Sequence, residues 1–199
     1  PDMPFVSLTA YRADPVINLT ISALIVVGGI GFLTWDDVRT NRLCFHRYRL
    51  QSKVILAATA LLILLPTLYF FCFEFKGGTL RERLLLSLFQ SVTPRTAGFN
   101  TADYTSLSSS GRGLTILLMF IGGSPGSTAG GIKTTTAAVL VANAFAVFRR
   151  QKSPEMFGRR MEEKAVHDAA AIFTLYLVLS LTGAFVISTV AVSYTHLTL

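Results

Sequence analysis

Two stretches decide how this chain reads: Ser91-Val-Thr-Pro-Arg-Thr-Ala-Gly-Phe-Asn-Thr101 and Gly122-Gly-Ser-Pro-Gly-Ser-Thr-Ala-Gly-Gly-Ile-Lys-Thr134. Both interrupt long apolar runs. Irregular backbone at membrane depth leaves amides and carbonyls unpaired, so it survives only when buried in protein or lining a water- or ion-filled path. The pair therefore points to a pore.

The surrounding composition agrees with a bilayer setting, because 51% of the 199 residues are hydrophobic and only 15% are charged, too few to solvate a soluble domain. The chain opens on Pro1 with no basic segment, short apolar run and cleavage site, so an internal fragment is expected. Cys44 and Cys72 lack the spacing of a metal site or a disulfide framework. The net charge of +7 comes from residues lying between apolar runs, not from one basic stripe, so no nucleic acid is expected as a partner.

Working outward from the two stretches, the run Val16 to Leu33 ends at Trp35-Asp36-Asp37 and is close to the roughly 20 residues of a spanning helix. A second run goes from Val54 to Phe75, and Ala169 to Val192 forms another. The amphipathic piece Leu80 to Phe89, about ten residues, is too short to cross and fits a re-entrant helix leading into the first stretch. Leu114 to Phe148 is one span broken near its middle by Gly122 to Gly131. Arg39, Arg42, Arg47, Arg49 and Lys53 in segment 36–53, and Arg149, Arg150, Lys152, Arg159, Arg160 and Lys164 in 149–164, place both loops on the cytoplasmic side. Alternation of the spans then holds only if 80–101 enters and leaves from the opposite face.

Here the sequence resembles the Trk/Ktr/HKT superfamily of potassium and sodium transporters, most of all the bacterial Ktr-type ion-translocating subunit. Thr93-Pro-Arg-Thr-Ala-Gly-Phe-Asn-Thr101 is similar to a selectivity-filter segment of that family, and Ile121 to Thr134 to its intramembrane gating loop. The resemblance implies an all-α integral membrane fold of helix, re-entrant pore helix and helix repeats, seen here in part. Residues 1–40 would end the second repeat with its inner helix. Residues 41–150 would be the complete third repeat, with outer helix 54–75, pore helix 80–91, filter 93–101 and broken inner helix 112–148. Residues 151–192 would start the fourth, and 193–199 depart from the pattern and read as a non-native tail. It further implies a multi-pass protein of the bacterial cytoplasmic (inner) membrane, a homodimer in contact with lipid, and a cytoplasmic nucleotide-binding regulatory subunit.

The physical case stands beside the resemblance. A dehydrated monovalent cation needs several oxygen ligands, which backbone carbonyls of an extended loop supply without fixed negative charge. Thr96, Ala97, Gly98 and Phe99 are the expected filter, with K+ (or Na+) held by the carbonyls of Thr96, Ala97 and Gly98. Gly98 admits the positive φ that turns successive carbonyls to one side. Arg95 is an awkward neighbour for a cation; it is expected either to brace the loop through Asp103 or Glu74 or to be solvated outside.

The second stretch opposes helix by roughly 1 kcal/mol for each glycine and about 3 for the proline. Gly122, Gly123, Ser124, Pro125, Gly126, Ser127, Thr128, Ala129, Gly130 and Gly131 are therefore the expected gating loop, its polar groups satisfied by water. Lys133 is expected to anchor it on an acidic or carbonyl partner, or to face the cytoplasmic cavity.

Two rivals remain. Gly126 to Thr134 resembles a phosphate-binding loop, but Ile132 separates the glycine from Lys133 and no nucleotide-binding βαβ unit surrounds it. A non-transporting helical scaffold would use Gly28, Gly29 and Gly31 for close packing, but leaves the second stretch unexplained. His46 and His167 lie in or beside basic loops without ligand spacing, and no nucleophile, base and orienter assemble. No enzyme and no cofactor are expected.

Overall fold

The computed structural model describes residues 7–42, 44–151 and 153–197, in two compact units, Pro1–Ala138 and Val139–Leu199. Residues 1–6 of the expected second-repeat segment, Lys152 of the second basic loop and 198–199 of the tail lie outside the described residues.

In the first unit, α1 (Pro15–Ile30) starts where Asp14 accepts the amides of Val16 and Ile17 and Pro15 presets the first helical φ. The run Val16 to Leu33, expected to be close to one spanning helix, is not one helix. It turns by 95° at Gly31 and continues as α2 (Phe32–Asn41), which takes Trp35, Asp36 and Asp37 into helix. Gly31 has φ +88°, and a Cβ there would sit 2.5 Å from the Pro125 carbonyl oxygen, so only glycine fits. The Trp35 indole fastens the bend by donating to the Val27 carbonyl at 3.0 Å.

Helix α3 (Leu50–Tyr69) begins four residues before the expected 54 and runs into a π-helical turn, Phe70–Glu74, so the apolar span is Leu50–Glu74. Its start is held by buried Asp37, which accepts from the Arg49 amide at 3.1 Å and the Ser52 hydroxyl at 2.5 Å. A carboxylate there complements the positive end of the helix dipole.

Helix α4 (Leu80–Val92) opens with a capping box: Thr79 Oγ1 accepts the Glu82 amide, and Glu82 accepts the Thr79 amide. That amide holds the Glu82 carboxyl below its ordinary range. At 13 residues α4 is about 20 Å long, short of the roughly 30 Å of hydrocarbon.

Helix α5 (Ser109–Phe120) is tied to the end of α3, because Glu74 accepts the Ser108 amide at 3.1 Å and the Ser108 hydroxyl. Ser108 Oγ in turn caps the Gly111 amide. Helix α6 (Thr134–Phe148) follows the second glycine-rich stretch, and the boundary between the units falls within it.

The second unit holds the rest of α6, a hairpin of β1 (Glu155–Met156) and β2 (Arg159–Arg160), and α7 (Glu163–Leu197). The hairpin turns at Phe157 and Gly158, both at positive φ as a tight two-residue turn requires, and Arg160 pairs with Glu155 at 3.0 Å. This hairpin stands in the second basic loop. Residues Glu163–Thr189 of α7 are apolar and long enough to cross a membrane. The helix continues to Leu197, so residues 193–197 of the expected tail are helical.

Candidate functional site

Helix α4 is fastened by polar contacts on two sides. Thr67 Oγ1 of α3 bonds Ser91 Oγ at 2.7 Å, and the Gln90 side chain donates to Thr115 Oγ1 of α5 at 3.4 Å. Ser87, Gln90, Ser91 and Thr93 are all buried. Buried polar pairs of this kind fix a register that apolar packing alone leaves soft.

At its end the chain leaves the helix and folds around Thr93. The Thr93 carbonyl accepts the amides of Ala97 at 3.2 Å and Gly98 at 3.4 Å, while its hydroxyl donates to the Phe99 carbonyl. Gly98 has φ +77° with open space where a Cβ would be. Thr96 has φ +69°, a conformation uncommon for a residue with a branched side chain. Among the described residues, the carbonyls of Thr96, Ala97 and Gly98 accept no hydrogen bond.

Arg95 is not solvated: 6% of it is exposed, and its Nε has no partner among the described residues. Glu74, one of the expected partners, is bound instead to Ser108.

The second stretch is a closed, internally bonded loop. The Gly122 amide donates to the Ile132 carbonyl at 2.9 Å and the Ile132 amide to Phe120 at 3.1 Å, joining its two ends. Ser124 donates its amide to Gly29 of α1 at 2.9 Å, and the Gly126 carbonyl accepts from Phe32, the first residue of α2, at 3.3 Å. Ser127 bonds the Ser124 carbonyl through amide and hydroxyl, and Ser124 Oγ meets Thr134 Oγ1 at 3.1 Å. These groups were expected to rest on water; they rest on protein, within the loop itself and, at the bend of Gly31, on the Gly29 carbonyl and the Phe32 amide. Lys133 Nζ donates to the Ala129 carbonyl at 2.7 Å, the carbonyl anchor of the alternatives above. The loop is entered and left by helices, whereas a phosphate-binding loop follows a strand.

The two stretches meet. A cavity of about 420 Å³ is lined by Arg95, Thr96, Ala97 and Phe99 on one side, Thr128 and Ala129 on another, and the α1 face from Ile21 to Gly29. A Cβ on Gly130 would lie 3.8 Å from Thr96 Cγ2. The α1 wall was missed from sequence; the Gly28-Gly29-Ile30-Gly31 cluster, read as a packing face, was the available signal of a close backbone approach.

Apolar helices long enough to cross, one short helix ending in an irregular loop and one helix broken by a glycine-rich loop define an all-α integral membrane protein of the transport class. Residues 75–199 match the TrkH family, described as a cation transport protein. The chain is 41% identical over 190 residues to the potassium/sodium uptake protein NtpJ of Enterococcus hirae, covering 92% of this chain and 41% of that protein. It is 37% identical over 188 residues to Ktr system potassium uptake protein B of Bacillus subtilis, covering 92% and 42%. Over 176 residues it is 34% identical to its namesake in Vibrio alginolyticus, covering 85% and 39%. The chain belongs to the TrkH cation transport family, which is not a family of enzymes and whose members lie in the cytoplasmic membrane. It spans about two fifths of the length of these relatives.

Proposed function

We propose that this chain is part of a protein that takes up K+ across the cytoplasmic membrane, with Thr96, Ala97, Gly98 and Phe99 forming one quarter of its filter. The carrying observation is the shared cavity, lined by Thr96 and Ala97, whose carbonyls accept no hydrogen bond among the described residues, and by Thr128 and Ala129 of the loop Gly122 to Gly131. A cation stripped of water needs such oxygens. The loop is the gate. Its closed form is held within the loop by bonds such as Gly122 to Ile132 and Lys133 to Ala129, and against α1 and α2 by the Ser124 amide to Gly29 and the Phe32 amide to Gly126, contacts that are few enough to exchange for water. Na+ is the competing ion, since one relative is a potassium/sodium uptake protein.

In this reading α3 through α6 are the third of four repeats, α1 and α2 end the second, and α7 begins the fourth. The assembly is a homodimer in lipid with a cytoplasmic nucleotide-binding regulatory subunit; the resemblance supports this arrangement. The test is the full-length protein in a bacterium lacking potassium uptake. It restores growth in low potassium, and Gly98→Ser changes the preference for K+ over Na+. An unchanged preference in that variant removes the filter assignment.

A further inference from the structure

We propose that Arg95 is a specificity-determining residue: its guanidinium is a fixed positive charge on the wall of the shared cavity, and it excludes divalent cations. The inference rests on the transport reading above. Arg95 lines the same cavity as Thr96, Ala97, Phe99, Thr128 and Ala129, with 6% of its surface exposed. Among the described residues its Nε has no hydrogen-bond partner and no carboxylate pairs with it. The carboxylate of Glu74 is bound to Ser108. What remains to offset it is the carbonyl end of α4, where the Arg95 amide donates to Val92; a helix end carries about half a negative charge. A net positive potential is left at the cavity.

That potential acts in proportion to the charge of the ion, so it penalises a divalent ion twice as much as a monovalent one. Burial keeps the penalty from being screened away. K+ passes because the unpaired filter carbonyls offset its dehydration; for a divalent ion of equal size the carbonyl attraction only doubles while the dehydration cost rises with the square of the charge, so the doubled repulsion from Arg95 is left uncompensated. Ba2+, close to K+ in radius, isolates this effect from size.

The experiment is inhibition of Rb+ uptake by Ba2+ in proteoliposomes holding the full-length protein. Arg95→Gln is expected to lower the half-inhibitory Ba2+ concentration about tenfold, and Arg95→Lys to leave it near the parent value. Leu24→Glu, which places a carboxylate on the α1 wall of the cavity, is expected to act as Arg95→Gln does and serves if that variant does not fold. A folded, Rb+-transporting Arg95→Gln or Leu24→Glu protein with the parent's Ba2+ inhibition overturns the proposal and leaves the transport reading intact. Absence of Rb+ uptake by the parent protein overturns the transport reading itself.

Discussion

Gly122 sits where the loop closes on itself, and Gly122→Ala tests whether that closure is the gate. A Cβ at this position would lie 1.5 Å from the Gly130 carbonyl oxygen and 2.6 Å from its carbon. Both are backbone atoms, so no side-chain rotation relieves the clash, and reaching ordinary contact requires one strand of the loop to move. Displacement breaks the bond from the Gly122 amide to Ile132 and strains the one from Ile132 to Phe120. Overpacking costs about 1–3 kcal/mol and each hydrogen bond about 0.5–1.5. Together the closed loop loses roughly 2–4 kcal/mol, which shifts an open-to-closed ratio by about 30- to 1,000-fold. The assay is basal Rb+ flux through the full-length protein in proteoliposomes without regulator. Gly122→Ala should leak, while Gly113→Ala, where a Cβ meets nothing within 4 Å, should not. A Gly122→Ala protein as tight as its parent refutes the assignment of this loop as the gate.

Lys133→Met removes the bond to the Ala129 carbonyl, a charged hydrogen bond of about 1.5–3 kcal/mol, and should raise basal flux roughly tenfold in the same assay. Glu74→Gln weakens the tie to Ser108 and should lower the stability of the detergent-solubilised protein by about 1–2 kcal/mol, read as a lower midpoint of thermal unfolding. Glu82 has a lowered pKa because its ionised form accepts the Thr79 amide, so the cap stabilises α4 above the ordinary carboxylate range and weakens as pH falls through the lowered value. Protection from hydrogen exchange at the start of α4, corrected for the intrinsic pH dependence of exchange, should therefore fall on acidification, and Glu82→Gln should abolish that fall.

The all-α membrane class was legible because hydropathy and charge alternate along the chain without reference to tertiary contacts. The start of α4 was equally local, being written in Thr79 and Glu82. The bend at Gly31 was not, since hydropathy runs unbroken across it and the Pro125 carbonyl that leaves room only for glycine there comes from the other end of the unit. Sequence pointed to left-handed backbone at Gly98, where the residue type announces it. It gave no hint of the same conformation at Thr96, which the Thr93 hydrogen bonds to Ala97 and Gly98 impose. The burial of Arg95 was illegible for a similar reason: a charged residue beside a proline reads as surface until the cavity around it is known.

Thr96 and Thr128 line one cavity and, in the transport reading, face one cation path. In full-length protein freed of Cys44 and Cys72, Thr96→Cys and Thr128→Cys should each make Rb+ uptake sensitive to a small charged thiol reagent, and saturating K+ should slow both reactions. Complete modification of either variant with uptake unchanged would contradict the claim.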